Sequence, residues 1–339
     1  MSRKKILFLT GTRADFGKLK PLMYAVEKSK DYECLVFVTG MHMLSRYGMT
    51  VEEVYKAGFK NIHTFINHMY GESMELILAN TINGLSRYIH EYMPDMIVVH
   101  GDRIETMAGA IVGASRNILV AHIEGGEVSG TIDELIRHSV TKMSHIHFVS
   151  NELAAKRLRQ LGEDKKSIYV VGSPDIDVML SNNLPVIDTA KRYYEISFDD
   201  YAIALFHPVT TELEHQYERS EQFVSVLLES LDNFIVVYPN NDQGSDAIFS
   251  AYKKLCGNPR FRIFPSMRFE YFLSLIKNSR YIIGNSSAGI REAPVYAVPS
   301  INIGTRQQNR FRHESIIDVG YDKESILGGI HKAKSMRKL

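Results

Sequence analysis

The chain has 339 residues, 45% of them hydrophobic and 23% charged, which is typical of a globular protein with two domains of roughly 150 residues each. Lys and Arg total 40 against 39 Asp and Glu, so the chain lacks the positive excess that nucleic-acid binding requires. The two cysteines have no paired spacing, which excludes a disulfide framework and a cysteine zinc site. No apolar run approaches the ~18 residues of a membrane span, and we expect a cytoplasmic protein that binds no membrane.

Short apolar runs alternate with segments of helical periodicity along the first half of the chain. The predicted strands are Lys5–Thr10, Cys34–Val38, Met96–Val99, Ile118–Ile123, His145–Val149 and Ile168–Val171. Apolar residues at helical spacing lie between them, for example at 15–28 and 74–92. Buried strands that alternate with helices predict a parallel sheet with helices on both faces.

The same alternation begins again after a looser stretch at 181–200. Its predicted strands are Tyr201–Phe206, Phe234–Tyr238, Phe261–Phe264, Tyr281–Ile283 and Pro299–Asn302. We therefore predict an α/β fold of two doubly wound domains, residues 1–172 and 173–339, that face a cleft. Ligands of such sheets bind at the carboxyl ends of the strands, so polar motifs at those ends are candidate sites.

Two motifs at these ends have features of an anion site. Gly11-Thr-Arg13 opens a helix, but its spacing fits neither a Walker loop nor a dinucleotide fingerprint, so we favour an ordinary turn with a solvated arginine. The second motif, from Gly284 to Gly289, places Ser286 and Ser287 at a helix start. One serine is explained as a helix cap, but the run of small residues favours close approach of a diphosphate.

Three further side chains extend this interpretation. Glu292 lies one to two turns after the serine pair, where its carboxylate could accept both hydroxyls of a ribose. His207 ends a strand, and it fits a phosphate donor and a buried histidine satisfied by its neighbours equally well. Arg306 also follows a strand and is a weak indication alone.

Three acidic residues follow successive strands of the first half. Asp102, Glu124 and Asp133 are predicted to converge at one edge, where paired carboxylates can act as general acid and base. Two simpler interpretations stay open, since Asp133 fits a first-turn helix acid and Asp102 could pair only with Arg103. The glycine pair after Glu124 favours a site, because glycine lets backbone approach a ligand closely. No compact set of metal ligands is present, and we predict no metal.

Taken in order, these motifs resemble the hydrolysing UDP-N-acetylglucosamine 2-epimerases of sialic and legionaminic acid pathways. The resemblance covers nearly the whole chain, and the block 122–133 is its most specific part. The matching segments are 11–13, 100–103, 122–133, 172–174, 207–211, 240–244, 284–289 and 302–307.

The resemblance implies two Rossmann-like domains of the kind found in B-type glycosyltransferases, assembled as a homodimer or homotetramer. It also implies roles for particular residues, with no metal or other cofactor. The implied catalytic acids are Asp102, Glu124 and Asp133; the diphosphate contacts are Arg13, His207, Ser286 and Ser287, with Glu292 on the ribose and Arg306 nearby; residues near the ligand are Asp15, His145, Asp177 and Asn240. The resemblance also implies a C-terminal helix that crosses back to the first domain, and because the sequence ends some tens of residues early, we expect this helix to be missing or trimmed here.

The implied reaction converts UDP-N-acetylglucosamine to N-acetylmannosamine and UDP. Several alternatives stay open. The same reaction on UDP-N,N'-diacetylbacillosamine would need only a change in the sugar pocket. A non-hydrolysing epimerase or a retaining glycosyltransferase would share the nucleotide site. A nucleotide-sugar sensor would bind without any chemistry.

Overall fold

The computed structural model describes residues 3–129 and 131–336, and the chain packs as two compact units. The first unit runs to Val128 and continues over Asp133–Val178, and the second comprises Met179 onward with the segment Ser129–Ile132. Within residues 3–129 and 131–336, no helix is long and apolar enough to cross a bilayer.

The first unit is built on a seven-stranded parallel sheet in the order β3-β2-β1-β4-β5-β6-β7. Its strands are β1 (Lys4–Thr10), β2 (Tyr32–Val38), β3 (Asn61–Thr64), β4 (Met96–His100), β5 (Leu119–Ile123), β6 (Ile146–Val149) and β7 (Ile168–Val170). Its helices are α1 (Arg13–Lys28), α2 (Val51–Lys56), α3 (Met74–Tyr92), α4 (Ile104–Ser115), α5 (Ile132–Lys142), α6 (Glu152–Gln160) and α7 (Pro174–Met179). The proposed domain boundary at 172/173 falls between β7 and α7.

Alternate residues of the central strands belong to separate cores. Leu35 and Phe37 of β2 lie in one cluster, whereas Val36 and Val38 lie in another. Side chains of a strand point to opposite faces in turn, so helices cover both faces of this sheet. Double coverage explains why these strands appear in the sequence as continuous apolar runs.

The second unit repeats the plan with a six-stranded parallel sheet in the order β10-β9-β8-β11-β12-β13. Its strands are β8 (Ala202–Leu205), β9 (Phe234–Val237), β10 (Phe261–Phe264), β11 (Ile282–Gly284), β12 (Ser300–Ile303) and β13 (Ile316–Val319). Its helices are α8 (Ile187–Tyr193), α9 (Gln216–Glu229), α10 (Ser245–Tyr252), α11 (Phe269–Lys277), α12 (Glu292–Val295) and α13 (Lys323–Ser335).

The predicted class, two doubly wound parallel α/β units, is confirmed. Each sheet reverses its strand order at an inner strand, β1 in the first unit and β8 in the second. Such a switch point opens a crevice at the carboxyl ends of the flanking strands. In the first unit the loops beside it follow β1 and β4, and in the second they follow β8 and β11.

Candidate active site

Two of the predicted acids emerge at one edge of the first sheet. Asp102 lies just after β4 and Glu124 directly after β5, and these strands are parallel neighbours. The Gly101 amide donates to the Ile123 carbonyl at 2.9 Å, and the Glu124 amide donates to Phe148 of β6 at 2.9 Å. The sheet ladder therefore fixes the backbone of both acids.

Glu124 is 4% exposed and is surrounded by polar partners. Its Oε1 accepts a hydrogen bond from the Ser173 hydroxyl at 2.5 Å. Its Oε2 lies 3.2 Å from Nε2 of His100 and 3.6 Å from Nζ of Lys18. The same ammonium lies 3.2 Å from Oδ2 of Asp175. One buried cation thus bridges two buried carboxylates, which offsets the cost of removing them from water.

Three members of this cluster were missed from the sequence. They are Lys18, His100 and Asp175, none of which is among the site residues predicted from the sequence. The sequence feature that could have indicated them is their position, because each follows a predicted strand or lies near the start of a helix.

Asp102 occupies a more open environment. Arg137 of α5 donates through Nη2 to Oδ2 of Asp102, and through Nη1 to the carbonyl of Glu127 at 3.1 Å. The alternative in which Asp102 pairs only with Arg103 is therefore wrong. Asp133 lies in the first turn of α5, one helical turn before Arg137, so both residues lie on the same face of the helix.

His122 braces the turn that carries Asp102. Burial lowers the pKa of His122 to about 3, so its ring is neutral near pH 7. Nε2 lies 2.8 Å from the carbonyl oxygen of Gly101 and Nδ1 lies 3.2 Å from the Thr141 hydroxyl. A carbonyl only accepts, so the ring proton is on Nε2. Gly101 has a φ of +74°, a conformation that favours glycine.

The backbone at Glu124 is itself unusual, with a φ of +64°. A non-glycine residue in the left-handed region carries strain of about 1 kcal/mol or more. The following glycines correct our expectation that they admit a ligand. A Cβ at Gly125 would lie 2.9 Å from Nδ1 of His122, and one at Gly126 would lie 2.6 Å from the Ala154 carbonyl oxygen. The close approach is to the protein's own chain.

The carboxylate of Asp15 binds its own chain, and its place near a ligand stays a prediction. It accepts from the amides of Gly11 at 3.0 Å and Thr12 at 3.2 Å, and from the Thr10 hydroxyl. Thr12 caps α1 in return, which completes a capping box. This network supports the ordinary βα turn favoured from the motif. Arg13 lies in the first turn of α1, in the first unit.

Two other predicted contacts do not join the acids. His145 precedes β6, and its ring and backbone bond to Val120 near the start of β5. It therefore lies at the opposite sheet edge from Glu124, because parallel strands share their polarity. Asp177 is exposed on α7, whereas Asp175 of the same helix is 1% exposed and joins the cluster.

In the second unit, His207 is held by backbone and amide groups. Its amide donates to Oδ1 of Asn285 at 2.7 Å, and Nδ2 of Asn285 donates to its carbonyl at 2.8 Å. Nδ1 of the ring accepts from the Asn240 amide at 3.1 Å, which leaves the proton of a neutral ring on Nε2. Asn240 thus acts on His207 through its backbone.

The serine pair follows Gly284, where a Cβ would overlap the Leu205 carbonyl oxygen. Ser286 accepts from the Ala288 amide at 3.3 Å and caps a short 3₁₀ turn, as the simpler interpretation predicts. Ser287 is half-buried in that turn. Gly289 packs on the sheet, where a Cβ would overlap the Ser300 hydroxyl, so it too serves internal packing.

Glu292 and Arg306 complete the predicted set in the second unit. Glu292 is 6% exposed and opens α12. Arg306 follows β12, and its Nη1 lies 3.4 Å from the Asn285 carbonyl oxygen. The neighbouring Gln307 donates to the same oxygen at 2.8 Å. His207 and Arg306 therefore both lie on loops that contact Asn285.

Comparison with known proteins identifies the family. Residues 24–339 match the family described as UDP-N-acetylglucosamine 2-epimerase. The chain belongs to this family. It is 50% identical to the UDP-N-acetylglucosamine 2-epimerase of Neisseria meningitidis serogroup B, over 99% of this chain and 89% of the relative. It is 32% identical to the UDP-N,N'-diacetylbacillosamine 2-epimerase (hydrolyzing) of Legionella pneumophila, over 99% of this chain and 90% of that one.

A solved structure agrees on the fold. The UDP-GlcNAc 2-epimerase of Methanocaldococcus jannaschii, crystallised with UDP-GlcNAc and UDP, superposes with a TM-score of 0.83. The match covers 99% of this chain and 94% of that one at 22% identity. The predicted family resemblance is thus confirmed, and membership makes the chain an enzyme of the 2-epimerase family.

Proposed function

We propose that the protein is a hydrolysing 2-epimerase that converts UDP-N-acetylglucosamine to N-acetylmannosamine and UDP. The observation that best supports this proposal is that two carboxylates lie at the same edge of the first sheet in different environments. Glu124 is buried and contacts a hydroxyl, an imidazole and an ammonium group. Asp102 is partly exposed and pairs with the guanidinium of Arg137. Carboxylates in different environments can divide the roles of base and acid.

The chemistry requires such a division. C2 of an acetamido sugar has no adjacent carbonyl, so its proton becomes acidic only as the C1–O bond to UDP weakens. A carboxylate then takes the C2 proton, the C1–O electrons leave with UDP, and 2-acetamidoglucal remains. Water adds its oxygen to C1 while a carboxylic acid delivers a proton to the other face of C2. The balance is one water consumed for each UDP and N-acetylmannosamine released.

The leaving UDP carries negative charge, and we assign the second-unit loops to hold it. Nε2–H of His207, the hydroxyls of Ser286 and Ser287, and the guanidinium of Arg306 are donors suited to a diphosphate. Glu292 is assigned to the ribose hydroxyls, and Arg13 is a further candidate for the diphosphate. Asp133, on the same α5 face as Arg137, is assigned as the third acid.

Isotope labelling tests the reaction. The protein is incubated with UDP-N-acetylglucosamine in deuterated water and in ¹⁸O-water, and the products are analysed by NMR and mass spectrometry. We expect N-acetylmannosamine with deuterium at C2 and ¹⁸O at C1, together with UDP. Unlabelled C2 in the product would overturn the mechanism. Recovery of UDP-N-acetylmannosamine would instead identify a non-hydrolysing epimerase, and intact substrate would indicate a transferase or a sensor.

The sugar is a separate question, raised by the Legionella relative that is named for UDP-N,N'-diacetylbacillosamine. That sugar differs from N-acetylglucosamine at C4 and C6, so a small change in the pocket would select between them. We favour UDP-N-acetylglucosamine because the relative at 50% identity is named for it. Values of kcat/KM for both UDP-sugars decide the matter, and a preference for the diacetylated sugar would reverse the assignment.

A further inference from the structure

A carboxylate in the second unit joins three loops without belonging to the proposed chemistry. Glu212 lies on the loop after β8, as does His207. Its Oε1 accepts from the Thr305 hydroxyl, on the loop after β12, at 2.6 Å. Its Oε2 accepts from Nη1 of Arg219 on α9, and the hydroxyl of Tyr321, which follows β13, lies 3.5 Å away. We call these four residues the Glu212 clamp.

Tyr321 makes further contacts with Arg219, Thr305 and Gly304. The guanidinium carbon of Arg219 lies 3.7 Å from the centre of the Tyr321 ring, a cation–π contact. The Tyr321 hydroxyl accepts from the Thr305 amide at 3.3 Å. Gly304 has a φ of +72°, and a Cβ there would overlap that ring at Cζ. The Thr305 backbone and side chain are therefore both held.

These contacts belong to a ring of hydrogen bonds and chain connections that joins the two loops proposed to hold the diphosphate. Thr305 immediately precedes Arg306 and Gln307. The Gln307 amide binds the Asn285 carbonyl, and the Asn285 side chain binds both backbone groups of His207. The loop of His207 then leads back to Glu212. Two loops distant in sequence are thereby held at a fixed separation.

We propose that Glu212 is a positioning residue that sets the spacing of His207 and Arg306 for a nucleoside diphosphate, an inference that rests on the proposed function. Preorganised donors bind an anion more tightly because no loop ordering is needed on binding. Glu212 itself need not touch the ligand.

The charge state of Glu212 agrees with this role. Burial alone would raise the pKa of its carboxyl, but hydrogen bonds from Thr305 and Arg219 outweigh burial and lower it. The carboxylate is therefore ionised near neutral pH, and hydrogen bonds to an ionised acceptor are the stronger kind.

Variants of Thr305 test the clamp without removing its charges. Thr305→Val keeps the side-chain shape and deletes the hydroxyl, whereas Thr305→Ser keeps the hydroxyl. Glu212→Gln removes the charge, and Glu214→Gln is its control, because Glu214 is an exposed acid on the same loop. For each protein, calorimetry gives the Kd for UDP at one fixed temperature, steady-state kinetics give KM and kcat, and a thermal melt gives Tm.

We expect Thr305→Val and Glu212→Gln to weaken UDP binding about tenfold, with KM rising more than kcat falls. Thr305→Ser and Glu214→Gln should stay within about twofold of the parent. A lowered Tm with an unchanged UDP Kd in Thr305→Val would overturn the positioning role and leave the proposed function standing. Failure of the parent protein to bind UDP would overturn both.

Discussion

The two sheets present different kinds of polar group at their carboxyl edges. In the first unit, the edge residues Glu124, Lys18 and Asp175 are charged, buried and paired with one another. In the second unit, the neutral amide Asn285 joins the loops of His207 and Gln307, and the charged pair of that edge, Glu212 and Arg219, holds the loops from outside this junction. A carboxylate that must exchange protons needs charges that control its proton affinity. An anion site needs fixed dipoles, and these can be held by neutral groups.

The sharpest test of this difference is to remove one acid charge while preserving shape. Glu124→Gln and Asp102→Asn should each lower kcat by about 10³-fold or more, because a general acid or base contributes up to ~10⁴-fold. The Kd for UDP should stay within about threefold, since the proposed diphosphate contacts lie elsewhere. Rapid-quench kinetics and calorimetry provide the two numbers. Retained turnover in Glu124→Gln would contradict the assignment of chemistry to the first unit.

The free energy of unfolding should also depend on the buried charges at the carboxyl edge of the first sheet. Lys18→Met removes the cation shared by Glu124 and Asp175 and leaves two buried carboxylates without it. We expect a loss of about 3–5 kcal/mol in the free energy of unfolding, measured with urea. Lys28→Met, at an exposed position on the same helix, is the control and should cost less than about 1 kcal/mol. Equal losses in the two variants would mean that the buried cation does not balance these acids.

In the second unit, a charge should be harmful where a neutral amide now lies. Asn285→Asp would place a carboxylate oxygen against the His207 carbonyl and lose the donor, at a cost of about 2 kcal/mol. UDP affinity should fall with it, because His207 and Arg306 both depend on Asn285. Asn233→Asp alters an exposed amide and serves as the control in the same melts and titrations. Unchanged UDP affinity in Asn285→Asp would show that this amide does not organise the site.

The smallest expected effect is on pH dependence. Burial lowers the pKa of His42 to about 4 and of His122 to about 3. As the pH falls below ~6.5, the unfolded chain binds protons at these positions before the folded chain does, so stability present above that pH is lost. We expect each histidine to remove about 1–2 kcal/mol between roughly pH 7 and pH 5. Urea midpoints in His42→Gln should vary less with pH than in the parent, and identical slopes would exclude its contribution.

Prediction from the sequence was most successful where burial is greatest. Every predicted strand is present within a few residues, because strands covered on both faces leave a continuous apolar signal. The two strands that were missed, β3 and β13, are outer strands of their sheets, and β3 contains no fully buried residue. An outer position alone does not hide a strand, since the outer strands β7 and β10 were predicted from their apolar residues, whereas β3, with the sequence Asn-Ile-His-Thr, contains a single apolar residue.

The candidate site was predicted less completely than the strands. Acids at strand ends were predictable, because the carboxyl edge of a parallel sheet is a general location for function. Their partners were not, because Lys18 and Arg137 reach the acids from helices whose orientation depends on packing. The glycines after Glu124 were misinterpreted for a related reason. A glycine in the sequence indicates that some atom approaches the backbone closely, but only the structure shows that these atoms belong to His122 and Ala154.

The left-handed backbone at Glu124 has an evolutionary consequence. The conformation at this position suits glycine better than any other residue, and the two residues that follow are glycines. If Glu124 has the proposed catalytic role, its carboxylate is kept at a cost in local backbone stability. In a deep mutational scan, Glu124→Gly should relieve the backbone strain but lose the carboxylate's contacts with Ser173, His100 and Lys18, so we expect a moderate loss of protein abundance and a much larger loss of turnover.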